Sequence, residues 1–249
     1  EEIPVLREGG RRLARIMQEV ARSALPGVST ATLDELAEKL ARDGGDIPIL
    51  LGYKPWSAKR AFPASICISV NNEVVHGIPN EDPHMLKEGD ILSLDMCLEH
   101  GGLITDMALS VGVGTIDDAA ERLFKATKEA RDAGIASARG GAHVGDIGAA
   151  IDSVAEKYGY GNVYELGGHG VGYKVHEEPY IMNVGEVGEG EELIPGMVVA
   201  IEPMFTEGDE RVKLLSDGYT YVTKDGSRAA HFEHSILITD GAPEILTKE

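Results

Sequence analysis

Near the amino end, Leu13, Ile16, Met17, Val20 and Ala24 recur at helical spacing with charged residues between them, and Pro26-Gly27 stops the run. A second helix is predicted after a Ser29/Thr30 cap, with Leu33, Leu36, Ala37 and Leu40 turned inward and Gly44-Gly45 ending it. The pattern then changes to short β-rich runs over 66–70, 91–98 and 103–111. Helical periodicity returns over 118–139 and 146–158, and from 163 to 246 the chain reads as strands and loops with glycine at most corners. Two helices then strands, twice over, predict two similar halves, although no residue-level repeat or linker separates them. The expected fold class is α+β, one domain over residues 1–249, with mainly antiparallel strands because short turns join them.

Composition narrows the function. With 249 residues, 43% of them hydrophobic, the chain can bury a sizeable core. No apolar run is long enough to span a bilayer, so no membrane partner is expected. The amino end lacks the basic and apolar blocks of a signal peptide, and the missing initiator Met reads as a trimmed terminus. Cys67 and Cys97 have no close thiol spacing, which argues against a disulfide framework and a cysteine zinc site and favours a cytoplasmic setting. A net charge of −19 disfavours DNA over any broad face.

Some of those carboxylates stand where solvated ones do not belong. Asp95 interrupts the run Ile91 to Leu94, Asp106 follows Leu103-Ile104, and His100-Gly101-Gly102 lies between them. With His100 and Gly101 as the two turn residues, Asp95 and Asp106 would face each other across a hairpin. At about 5 Å they would repel by about 3 kcal/mol at an effective dielectric of 20. As a lone pair they read more readily as two exposed strand carboxylates. Glu202 extends the apolar run Met197 to Ile201, and Glu233 sits within the strand-like stretch Ala229 to Leu237. Four carboxylates in apolar contexts are hard to bury unless they are paired or coordinated. Four carboxylates also balance two divalent ions. The imidazole expected with them is His169, flanked by Gly168 and Gly170, which let the backbone approach closely. No helix signal follows this glycine run, which disfavours a phosphate loop, and neither His-Glu-x-x-His nor Gly-x-Ser-x-Gly occurs.

From about residue 5 onward the chain resembles the bacterial type I methionine aminopeptidases. The resemblance rests on Cys67 to Pro79 (including His76), Ser93-Leu94-Asp95 with Thr105-Asp106, Gly168 to Gly172 through His176-Glu177-Glu178-Pro179, Ile201 to Met204, and Phe232-Glu233-His234. It implies the "pita-bread" fold, two pseudo-symmetric halves around the site. It implies two divalent ions (Co, Mn, Fe or Zn), bridged by Asp106 and Glu233, with Asp95 completing one shell and His169 with Glu202 the other. His76 and His176 would touch substrate, His176 at the scissile carbonyl oxygen, and Glu202 would carry the proton from water to the leaving amine. The implied activity is removal of the amino-terminal methionine from nascent polypeptides, favouring a small second residue, by a cytoplasmic monomer with transient ribosome contact.

The family lines its methionine pocket with aromatic and sulfur-bearing residues, and Tyr53, Phe62, Cys67, Val175 and Tyr219 stand at or near those positions. Val175 replaces a Phe of some relatives, and Tyr219 a Trp. Residues 54–61 are a longer connection than the shortest relatives have. This locally basic loop, with the only Trp at position 56, reads either as a surface insertion or as a flap. In the flap reading Trp56 covers the pocket, and Lys54, Lys59 and Arg60 meet ribosomal RNA. The X-Pro peptidases resemble the chain in the five ligands but usually carry a large extra amino-terminal domain, whereas the first matching motif here opens at Cys67. A non-catalytic module on the same fold tends to lose ligands, and all five are present.

Overall fold

The structure is a computed structural model that describes residues 2–56 and 58–248. The first half contains α1 (Glu2–Ser23), α2 (Thr30–Asp43), β1 (Ile47–Pro48), β2 (Cys67–Val70), β3 (Glu73–Val75), β4 (Ile91–His100) and β5 (Leu103–Gly112). The second begins with α3 (Asp118–Ser137) and α4 (Val144–Tyr158), followed by β6 (Gly161–Asn162), β7 (Gly167–Gly170) and β8 (Glu177–Met182). It continues with β9 (Val198–Ile201), β10 (Met204–Thr206), β11 (Val212–Leu214), β12 (Tyr221–Thr223), β13 (Ala229–His231), β14 (His234–Leu237) and β15 (Glu244–Ile245).

Local chemistry sets the helix ends. Ser29 Oγ accepts from the Thr32 N–H at 3.1 Å to cap α2, and Asp117 accepts from Ala120 N–H at 2.8 Å to cap α3. The α3 helix stops before the expected residue 139 because Ala138 leaves helical geometry at ψ 86°. The α4 helix starts before 146, where Asp146 reaches back to accept from the His143 N–H at 2.7 Å.

All the sheet ladders are antiparallel. In one sheet β4 carries β1 and β2 along one edge and β5 along the other; in a second the order is β15-β14-β9-β7-β8. Helices α1 and α2 cover the β4 face that presents Leu92, Leu94, Met96 and Leu98. Helices α3 and α4 cover the second sheet around Val199, Ile201 and Ile236. Leu109 on β5 packs against both cores, so the two-half expectation holds.

The β4–β5 hairpin corrects one expectation. Its turn residues are Gly101 and Gly102, at φ 58° and 84°, and His100 pairs with Leu103. Both central residues of such a turn need left-handed φ, which glycine adopts freely and histidine does not. Asp95 therefore lies opposite Ala108, and Asp106 opposite Cys97. The displacement from the expected register is even, so Asp95 and Asp106 still share a face, as diagonal rather than direct neighbours.

The glycines around His169 are required by close packing. A Cβ at Gly168 would lie 2.2 Å from Ala200 O, and one at Gly170 would lie 2.2 Å from Glu178 O. Backbone on both sides cannot yield cheaply. Gly168→Ala should lower stability by about 1–3 kcal/mol, the range for overpacking, read as a lower urea midpoint at unchanged m.

Candidate metal centre and cleft

The five candidate ligands come from both halves and meet at their seam. Asp95 is on β4 and Asp106 on β5; His169 is on β7. Glu202 and Glu233 occupy breaks, the first between β9 and β10 and the second between β13 and β14. Ile201 pairs with His234 and Met204 with His231, a single register on both sides of the interruption, so Glu202 and Glu233 come opposite each other in it. Two serine hydroxyls bolt the seam. Ser235 Oγ accepts from Asp106 N–H and donates to Asp106 O, both at 2.8 Å. Ser110 Oγ does the same for His231, at 2.9 and 3.0 Å, and Glu233 N–H donates to Ala108 O at 2.9 Å.

Asp106, His169 and Glu233 are buried, and one ligand atom from each lies within 4.8 Å of the others. His169 Nδ1 donates to Gly170 O at 2.9 Å, which leaves Nε2 as the bare nitrogen facing Glu202 Oε1 at 3.4 Å and Asp106 Oδ2 at 3.9 Å. Asp106 Oδ1 and Glu233 Oε1 are buried without a hydrogen-bond partner. Burial, with the neighbouring Asp106 and Glu202 carboxylates, pushes Asp95 and Glu233 well above the usual range. Burial also pushes Glu202 up to about 8, with His169 opposing and Asp106 adding to the rise. Orphaned buried oxygens beside one imidazole form a donor set that fits divalent ions of the Mn–Zn series.

These residues line one cleft of about 850 Å³. Tyr53, Phe62, Cys67, Val175 and Tyr219 line the same cleft, with Phe62 and Tyr219 edge to face at 5.1 Å. His76 and His176 also line it. His76 is held at φ 60°, a strained backbone for a non-glycine residue, and burial and the neighbouring imidazoles lower its pKa to about 4. His176 has an exposed edge in the cleft mouth, and its inner face packs on His169 with ring centroids 4.5 Å apart. Its Nδ1 lies 2.9 Å from the Tyr53 hydroxyl.

The 54–61 loop departs from the flap reading in two ways. Trp56 points into solvent, while Pro55 and Ala58 line the cleft; Ser57 lies outside the described residues. Arg60 is not free for RNA, because it binds Glu81 at 2.7 Å and the Asp217 carbonyl at 3.2 Å. Phe62 N–H donates to Tyr53 O at 2.8 Å and closes the loop's stem.

Two residues at the centre have no counterpart in the expectations. Cys97 Sγ donates to Asp106 Oδ2 at 2.9 Å, as the observed register dictates. His231 Nε2 lies 3.4 Å from Glu202 Oε2. For Cys97 the register is the signal; His231 carries none beyond a polar residue in an apolar strand.

A sequence profile for metallopeptidase family M24 matches residues 5–240. The chain is 44% identical over 249 residues to the methionine aminopeptidase of Aquifex aeolicus, covering 99% of this chain and 96% of that protein. Its structure resembles the crystal structure of methionine aminopeptidase from Rickettsia prowazekii with a TM-score of 0.94 at 37% identity, covering 99% and 97% of the two chains. This likeness identifies the pita-bread fold. A prolidase from Pyrococcus furiosus shares the fold at TM-score 0.76 and 18% identity, and this chain covers 64% of that one.

The carboxyl cluster makes metal-free stability depend on pH. Glu202 titrates near 4.5 unfolded and near 8 folded, so between those values the folded state holds a proton that the unfolded chain has lost. Its contribution is complete below 4.5 and is lost as pH rises through about 8. Asp95 and Glu233 act in the same direction. The buried histidines, lowered from 6.5, act only at more acidic pH. Chelated protein should therefore lose melting temperature between pH 6.5 and 8, and Mn²⁺ should flatten that slope. Calorimetry across the window checks both.

Proposed function

The chain belongs to metallopeptidase family M24, and on that premise we propose that it removes the amino-terminal methionine from nascent proteins and peptides using two divalent ions. The observation that carries this reading is the convergence of buried, unpartnered carboxylate oxygens and an apolar pocket with a thiol in one cleft. Asp106 and Glu233 would bridge the ions, Asp95 would complete one shell, and His169 with Glu202 the other. Bound there, the ions supply Lewis-acid activation of water and of the scissile carbonyl.

The chain's own residues do the rest. Glu202 takes the proton from the attacking water and returns it to the leaving amine. The Tyr53 hydroxyl donates to His176 Nδ1, so that the ring proton sits on Nε2 and can donate to the carbonyl oxygen as charge grows there. His76 contacts the substrate backbone across the cleft. Phe62, Cys67, Val175 and Tyr219 enclose the methionine side chain, whose flexible thioether suits aromatic and sulfur neighbours. The free amino group meets the carboxylate cluster, so a blocked terminus is spared. With the ions and His176 crowding the scissile carbonyl, a small second residue would be favoured. Because the ligands come from both halves, the whole chain acts as one catalytic unit. Among the described residues no helix is long and apolar enough to cross a membrane, and the free thiols Cys67 and Cys97 suit a reducing cytoplasm.

Chelated protein should not cleave Met-Ala-Ser, and Mn, Co or Fe should restore cleavage while Ala-Pro peptides stay intact. Full activity without metal, or efficient Ala-Pro cleavage, would overturn the reading. Met-Ala and Met-Gly starts should be cut, and Met-Lys and Met-Phe starts largely spared.

Two substitutions separate the roles. Glu202→Gln should lower kcat about 100- to 10,000-fold, the usual worth of a positioned proton carrier. Tyr53→Phe should lower kcat about 10- to 100-fold, as losing an orienting partner does, with KM changed little. Steady-state kinetics on Met-Ala-Ser distinguish them.

A further inference from the structure

Behind Glu202, away from the cleft surface, His231 ends β13 in a position the proposed chemistry does not use. Its backbone is fixed by Ser110 on both sides and by pairing with Met204, so the ring has little freedom. The ring is 1% exposed, and neither Nδ1 nor Nε2 has a hydrogen-bond partner. An apolar side chain would fill the same space without burying two polar atoms, so the imidazole calls for a polar reason. That reason lies 3.4 Å away. Glu202 is held between two rings, Oε1 at 3.4 Å from His169 Nε2 and Oε2 at 3.4 Å from His231 Nε2.

We infer that His231 is a positioning residue for Glu202. Its Nε2–H donates to Oε2, so that Oε1 alone turns toward His169 and the ion those two residues would share. The terminal torsion of a glutamate is soft and nearly two-fold, so without a donor on one oxygen either can swing inward. Outer partners of this kind orient ligands and tune metal affinity. The inference rests on the ligand reading of Glu202 given above. His231 touches neither the cleft nor the substrate, so its effect passes through Glu202.

The test is calorimetric titration of the metal-free protein with Mn²⁺, together with kinetics on Met-Ala-Ser, for His231→Gln and His231→Leu. Gln keeps an N–H donor at comparable reach, and Leu removes it. His231→Leu should weaken one of two Mn²⁺ binding events about 10- to 100-fold and leave the other within threefold. Its kcat at saturating Mn²⁺ should fall at nearly unchanged KM, and His231→Gln should restore both readouts. If His231→Leu fails to fold, His231→Met replaces it in the comparison. Binding within threefold of the parent in the apolar variant, or equal damage from Gln, overturns the inference. Glu202→Gln separates this from the premise: if it leaves Mn²⁺ binding intact, the ligand reading falls and this inference with it. If it weakens one event and His231→Leu does not, only the positioning role falls.

Discussion

Four carboxylates crowd one imidazole at a buried seam, and this is the constraint that the rest of the structure serves. Two like charges about 4 Å apart repel by about 4 kcal/mol at an effective dielectric of 20, before the cost of removing either from water. Glu202, Asp95 and Glu233 are accordingly all pushed upward, and Asp106 and Glu233 each leave one oxygen without a partner. A cluster so arranged is incomplete without protons or cations. Divalent ions resolve the repulsion and the missing hydrogen bonds together, which ties the stability of the two halves to the chemistry between them.

The backbone meets that constraint with a few fixed devices. The β9–β10 and β13–β14 segments run in one register and break where Glu202 and Glu233 face each other. Directly opposed positions share one face, and the break in the ladder leaves both carboxylates lining the cleft. Ser110 and Ser235 then span the seam, each hydroxyl satisfying an N–H and a C=O of the other half. A serine in a buried strand is usually a weak packing choice. Here it replaces ladder bonds that two separate sheets cannot supply.

The helices and the halves were legible because helical periodicity survives in α1 to α4 and because α1 and α2 cover an alternating face of β4. The carboxylates were legible because each interrupts or ends an apolar run. Register was not: it turns on whether His100 or Gly102 joins Gly101 in a turn, a backbone preference that hydrophobic pattern does not report. The opposition of Glu202 and Glu233 depends on pairing between segments some thirty residues apart, which local pattern also leaves open. His231 looks like any strand residue until its ring is found without a partner. Of the two readings of the 54–61 loop, the surface one fits Trp56, which is exposed, while the loop's small residues, Pro55 and Ala58, face the cleft, a division that residue size alone does not report.

The same loop shows how a long connection can be tied down beside a pocket. Its stem is closed at Tyr53 and Phe62, so Pro55 and Ala58 reach the cleft from two fixed walls while Trp56 points outward. Arg60 ties its far end to Glu81 and to the Asp217 carbonyl, and the Tyr219 hydroxyl donates to Arg60 O at 2.6 Å. Tyr219 is therefore anchored by the loop itself. A phenol with its hydroxyl satisfied presents an apolar edge to Phe62 and leaves no polar demand on the pocket. Loop and aromatic are thus joined into one wall of the pocket, because the bond that satisfies the Tyr219 hydroxyl also fixes the loop's far end beside Phe62.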